Sequence, residues 1–257
     1  MPDAPRIFTS EYYERLRDLE ERFWWNAGMR DVAALLLRQR SLPAAGLLLD
    51  IGCGSGQTMT WFRSLYPGWR TIGLDVALDA LRSARTHHAA QVTLASALDL
   101  PVSTRSVDLV VTLDVLQHLP LDGGDRRSLR EMSRVLKPGG HLLVRTNAQS
   151  FPIVGDDPQF NFHKYGQREL RAKLEAAGFA VLRLGRLNAL LGLAEIPNAL
   201  RADRGSGSYH GLQATLRRDP PWWSALKRLW LRLEGGAVAR GYSWPLGRTM
   251  IALCQRP

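Results

Sequence analysis

Short runs of apolar residues alternate with amphipathic stretches through the middle of this chain, and the two periods predict different elements. Short, largely apolar runs near 47–51, 70–75, 91–95, 107–113, 141–146 and 179–187 read as strands, the first, with four apolar residues in five, as one covered on both faces. The segments between them read as helices, among them Gln167 to Ala177, which Gly178 terminates as a C-terminal cap. Strand and helix in turn make an α/β fold with a mostly parallel, doubly wound sheet. Before the first strand, residues 1–46 predict a helical cap: Ser10 to Arg22, with Ser10 as N-cap, then roughly Gly28 to Gln39. The core is expected at 47–187, an insertion at 188–247, and a final strand at 248–254 within the segment 248–257. Inside the insertion, Trp222, Trp223, Leu226, Leu229, Trp230 and Leu233 recur at helical spacing with basic residues between them, which predicts a lid helix packed on the core by that stripe. Arg201 to Ser208 reads as a loop able to close over a substrate.

Chemistry concentrates where the first strand ends. Leu47-Leu48-Leu49-Asp50-Ile51 runs into Gly52-Cys53-Gly54-Ser55-Gly56, a strand, a glycine turn and then a helix. Glycines at alternate positions let the backbone approach a ligand with φ values that other residues resist. The same place in dinucleotide-binding folds carries GxGxxG and holds a pyrophosphate, so the turn by itself leaves a NAD-dependent oxidoreductase open. A second acid, Asp75, ends the next strand about twenty residues on, where nucleoside-binding α/β folds place the carboxylate that accepts the ribose hydroxyls.

Composition narrows the partners. The chain has 257 residues, 45% of them hydrophobic, enough for one sizeable core. No apolar run reaches membrane-spanning length and the first residues lack a signal peptide's apolar segment, which points to a cytoplasmic protein. Two cysteines, Cys53 and Cys254, suggest neither a metal site nor a disulfide framework, and Cys53 reads as small filler in the turn. The net charge of +10 lies entirely in the second half, where Arg and Lys number 22 against 11 acids. Because most of the cations are arginine in an Ala- and Leu-rich chain, a solvated surface explains them best; nucleic acid is not expected, and peripheral membrane contact through 220–233 stays open.

Five motifs in order resemble those of class I S-adenosylmethionine-dependent methyltransferases of the small-molecule type, similar to those of quinone and secondary-metabolite pathways. They are the GxGxG turn, Thr71 to Val76, Val92 to Pro101, Ser106 to Leu119 and Arg134 to Val144. The resemblance implies a Rossmann-like seven-stranded sheet whose last strand is antiparallel, with S-adenosylmethionine as cofactor and no metal. It implies cofactor contacts at Asp50, Gly52, Gly54, Gly56, Asp75, Val76, Ser96, Ala97, Leu98, Leu113 and Asp114. Ser96 stands where many members carry an acid that contacts the adenine amino group. Phe23-Trp24-Trp25 with Arg30 looks like the aromatic segment that covers the cofactor, so Arg30 is expected on its carboxylate, and Tyr12, Tyr13, Trp24 and Trp25 on the substrate. His118 past the fourth strand, and His163 with Tyr165 after the fifth, are the candidate bases, with Tyr165 also facing substrate. Leu113-Asp114-Val115-Leu116 does not resemble the Pro-Pro-aromatic turn of nucleobase amino methyltransferases. The expected reaction is methyl transfer to a small organic acceptor, most readily at oxygen, by a monomer or homodimer. A non-methylating use of the same cofactor, such as cyclisation, is the alternative within the fold.

Overall fold

The computed structural model describes residues 23–88, 91–149, 163–189 and 220–257. The expected helix at 10–22, Tyr12, Tyr13 and the loop at 201–208 lie outside them.

Seven strands form one sheet in the order β3-β2-β1-β4-β5-β7-β6. They are β1 Leu47–Ile51, β2 Arg70–Asp75, β3 Gln91–Leu94, β4 Val107–Leu113, β5 Leu136–Asn147, β6 Ala180–Leu187 and β7 Thr249–Gln255. Neighbours from β3 through β5 pair in parallel, while β7 is antiparallel to both β5 and β6, as the family resemblance implies. Helices α1 Trp24–Arg38, α2 Gln57–Leu65, α3 Leu78–His88, α4 Gly124–Val135, α5 Gln167–Ala176 and α6 Pro221–Ala239 cover the two faces.

Alternation along the strands divides the core in two, since successive side chains leave a strand on opposite faces. Leu48, Leu109, Leu143, Ile251 and Leu253 join one cluster with Met29, Leu36, Phe62 and Leu231 of α1, α2 and α6. Leu49, Val110, Leu142, Val144, Met250 and Ala252 join the other with Leu129, Met132, Leu170 and Leu174 of α4 and α5. Residues buried on both faces of a sheet leave no polar side to read, and this explains why β1, β4 and β7 are mostly apolar without a period of two.

Three elements depart from expectation. Helix α1 starts at Trp24 rather than Gly28, after an extended Phe23, so both tryptophans sit inside its first turn. Strand β5 starts at Leu136 rather than 141, because Leu136 pairs with Val107 and the Gly139 N–H donates to the Arg256 carbonyl at 2.7 Å. The third correction is the face of α6. Its buried residues are Leu231, Glu234, Gly235, Gly236, Val238 and Ala239, whereas most of the stripe expected to pack inward is exposed. Small residues explain the reversal. A Cβ on Gly235 would lie 2.6 Å from Val32, and one on Gly28 would lie 2.7 Å from Leu231, so α1 and α6 run parallel in close contact. Glu234 then anchors α6 to the end of β6, accepting the Asn188 and Ala189 N–H groups at 2.5 and 3.0 Å and the Trp230 indole N–H at 2.7 Å.

Candidate active site

The parallel strands β1, β2 and β4 end together: Ile51 pairs with Leu74 and with Thr112. At this carboxyl edge the glycine turn leaves β1 and enters α2. Gly52 and Cys53 both donate to the Leu74 carbonyl, at 2.7 and 3.0 Å, folding the turn over β2. Gly52 has a φ of +72°, and a Cβ there would meet Val115 at 2.2 Å, so neither the conformation nor the space admits a side chain. Gly54 has a φ of +53° and open space where its Cβ would stand. Cys53 packs over Gly73, where a Cβ would come within 2.7 Å of its sulfur, which agrees with a filler role.

Asp75 ties this turn to the next strand. Its Oδ2 accepts the Gly54 N–H and its Oδ1 the Ala77 N–H, both at 2.9 Å. A carboxylate oxygen accepts more than one hydrogen bond, so two main-chain donors orient the group and leave lone pairs for a vicinal diol. Val76 and Leu94 beside it are exposed apolar side chains, a surface suited to a flat aromatic base. Asp50, in β1, is buried beneath the turn. Ser96 accepts the Leu98 N–H at 3.2 Å, which shapes its own turn, and keeps its hydroxyl proton to donate. Helix α4 holds the segment after it: Arg134 reaches the Leu100 and Val102 carbonyls at 2.9 and 2.8 Å, and Glu131 accepts the Leu100 N–H at 2.9 Å. Arg30 on α1 donates to Gln57 Oε1 at 2.8 Å, placing a guanidinium at the first residue of α2 beside the open side of the glycine turn. Gly54's open space, the two-fold hydrogen-bonded Asp75 carboxylate and this cation make a cradle whose chemistry suits an adenosyl amino acid.

The other half of the edge, past β4 and β5, is built from side chains distant in sequence. Asp114 has a φ of +61°, and Arg145 donates to its Oδ2 through Nε at 3.0 Å and Nη2 at 2.5 Å. The same guanidinium lies 4.7 Å over the Trp25 ring, so Trp25 is fastened above the edge. Gln117 is buried and accepts the Asn147 N–H at 3.0 Å, while its own carbonyl accepts the His163 N–H at 3.2 Å. His163 and His118 therefore lie on the same edge, either side of Gln117. His118 is exposed, its Nε2 3.4 Å from the Gln117 amide nitrogen. His163 Nε2 meets Glu169 Oε1 at 2.8 Å, and its ring lies 4.2 Å from that of Tyr165.

Tyr165 is a correction. It is fully buried, and its hydroxyl donates at 3.1 Å toward both the Leu116 carbonyl and Asp125 Oδ2. Burial, then the Asp125 charge and hydrogen bond, raise its phenol far above the ordinary value, so it neither faces substrate nor acts as a base. Lys173 contacts Asp125 and, at 3.1 Å, Glu169. Burial pushes both carboxyls up, but the hydrogen bonds and charge outweigh it and hold them below the usual carboxylate range: Lys173 foremost for Asp125, His163 and Lys173 for Glu169. Reading the sequence missed Arg145, Glu169 and Lys173. Only Arg145 left a signal, a lone cation in the apolar run of β5 near its carboxyl end.

Residues 49–144 match the family model described as a methyltransferase domain. Those residues are therefore similar to a methyltransferase domain, and S-adenosylmethionine is the cofactor that this likeness implies. The chain is 32% identical over 113 residues to an Arabidopsis thaliana tRNA (carboxymethyluridine(34)-5-O)-methyltransferase, covering 44% of this chain and 26% of that protein. Among solved structures, the whole fold resembles Haemonchus contortus phosphoethanolamine N-methyltransferase 2 in complex with S-adenosyl-L-methionine, with a TM-score of 0.66 at 16% identity over 98% of this chain and 58% of that one. It also resembles the [4+2]-cyclase SpnF, with a TM-score of 0.60 at 19% identity over 91% of this chain and 83% of that one. At such identities the structural likeness is one of fold. The chain spans about a quarter to a half of the length of the first curated relatives it matches. Among the described residues no group of histidine, cysteine or acid side chains is arranged to hold a metal, and no helix is long and apolar enough to cross a membrane.

Proposed function

We propose that this chain transfers a methyl group to a hydroxyl of a small organic acceptor, of the kind made in quinone or secondary-metabolite biosynthesis. One observation carries the reading: a carboxylate-paired imidazole, His163 with Glu169, on the same sheet edge as the Asp75 turn. S-adenosylmethionine, when bound, supplies a methyl group activated by its sulfonium. Asp75 and Arg30 hold the two ends of that cofactor, and Trp25, fastened by Arg145, covers the acceptor side. An acceptor hydroxyl attacking in line forms a carbon–oxygen bond as the carbon–sulfur bond breaks, and its proton passes to His163. Glu169 orients the imidazole and stabilises the cation that forms.

The test pairs binding with turnover. S-adenosylhomocysteine is expected to raise the melting temperature where NAD does not, and a panel of hydroxylated small aromatics is expected to yield methyl ethers. His163→Ala should lower kcat about 100-fold with S-adenosylhomocysteine affinity unchanged. Methylation of tRNA with no turnover of any small acceptor overturns the acceptor class. Consumption of an acceptor without methylated product turns the assignment to a cyclisation-type reaction.

A further inference from the structure

The outward face of α6 is an apolar ridge with an exposed cation, Arg232, at its flank. Trp222, Leu226, Leu229 and Leu233 are 68%, 49%, 51% and 57% exposed, and their spacing places them in one line along the helix. The sole acid of α6, Glu234, is buried on the opposite side, and Lys227 and Arg228 turn toward Trp24 and Asp31 of α1, so the cation beside the ridge is Arg232. Arg228 is held by Asp31 of α1 at 2.6 and 3.0 Å, while Arg232 is exposed at the flank of the ridge. Leucines on a soluble surface are ordinary when scattered. Three in line behind a tryptophan over three turns, edged by an exposed arginine, are the arrangement of a helix that lies in a lipid interface.

We propose that α6 docks this protein on an anionic lipid bilayer, the apolar ridge entering the headgroup boundary and Arg232 meeting lipid phosphates. Charge decides against a second copy of the chain. A two-fold contact needs a self-complementary patch, and this face would oppose cations to cations. Its relation to the active site supplies a purpose. Lys227 lies 5.3 Å from the Trp24 ring and 5.5 Å from the Trp223 ring, and the next residue on α1, Trp25, carries the guanidinium that clasps Asp114 at the sheet edge. The N-terminal end of α6 therefore abuts the cap of the acceptor side, so docking brings that cap close to the bilayer. Resting on the methyl-transfer reading, the acceptor is then an apolar, bilayer-dissolved molecule bearing a hydroxyl.

Flotation of the full chain with mixed phosphatidylcholine–phosphatidylglycerol vesicles, against pure phosphatidylcholine vesicles, tests the docking. Binding to the anionic vesicles, weakened by salt and accompanied by a blue shift of tryptophan emission, is expected. Replacing Leu226 and Leu229 together by Glu should weaken it about tenfold or more, and Arg232→Glu less, with melting temperature unchanged because these side chains are exposed. Failure of the wild type to float overturns the proposal, as does equal flotation of the double variant. A dimer in solution that the double variant dissociates overturns it too, by assigning the ridge to a self-contact. Titration with S-adenosylhomocysteine in vesicle-free buffer separates this from the functional reading: a chain that floats but binds none keeps the docking face and loses the methyl transfer.

Discussion

The two halves of the sheet edge are made by different means. On the cofactor side, β1, the glycine turn and β2 do their work with main-chain groups: Leu74 O receives two turn N–H groups, and Asp75 receives two more. On the acceptor side main-chain bonds such as His163 N–H to the Gln117 carbonyl join the segments, but among the described residues the functional side chains are placed by others reaching across 29 to 49 residues, as in Lys173 to Asp125, Tyr165 to Leu116 and Thr146 to Gln117. A backbone-made site tolerates little change and is shared by many proteins of the fold. A side-chain network can be rewired to suit another acceptor.

That contrast breaks most sharply at Asp75. Asp75→Ala removes the acceptor of the Gly54 N–H and, on the proposed reading, of the ribose hydroxyls, and calorimetry should show S-adenosylhomocysteine affinity falling about 100-fold or more, since hydrogen bonds to a charged group contribute roughly 1.5–3 kcal/mol each. Gly52→Ala comes next. Its Cβ would stand 2.2 Å from Val115 in a left-handed backbone, and denaturant unfolding should show a loss of about 2–4 kcal/mol, where an alanine at Gly54, with open space above it, should lose less. On the acceptor side, Glu169→Gln keeps a partner for the Gly166 N–H but loses the charge beside His163, so kcat should fall about tenfold with cofactor affinity unchanged. An equal fall in cofactor affinity would make Glu169 a general structural support instead.

Acid probes the same network. Asp125 and Glu169 have folded-state values depressed below their unfolded ones, so the stability they contribute is present above about pH 4 and is lost as the pH falls through the lower folded values. The melting temperature should therefore fall in that acid window, and Lys173→Met should flatten the fall while lowering stability at neutral pH. The smallest effect is expected at Arg30. Arg30→Ala should weaken S-adenosylhomocysteine binding several-fold, one charge-assisted contact with a solvated carboxylate. Unchanged affinity would return Arg30 to holding Gln57 alone.

The same division explains what the sequence disclosed. Strands β1, β2 and β4 and the glycine turn are local patterns, readable because burial on both faces writes continuous apolar runs and positive φ calls for glycine. Asp75 was legible for the same reason, as an acid closing such a run. Tyr165 and Glu169 were not, because nothing near them in the chain says that Asp125 and Lys173 arrive from other helices. The face of α6 misled for a third reason. Its periodicity was read correctly, but the glycines at 28 and 235 that let the opposite face press on α1 lie in two elements far apart in sequence.

The central claim is that an adenosyl ligand lies across the turn between β1 and β2 with its ribose on Asp75. A crystal structure of the chain with S-adenosylhomocysteine tests it most directly. Both ribose hydroxyls are expected within hydrogen-bond distance of the Asp75 carboxylate, with the sulfur at the carboxyl edge between β1 and β4. Ligand density elsewhere on the protein, with Asp75 still bonded only to Gly54 and Ala77, would contradict it.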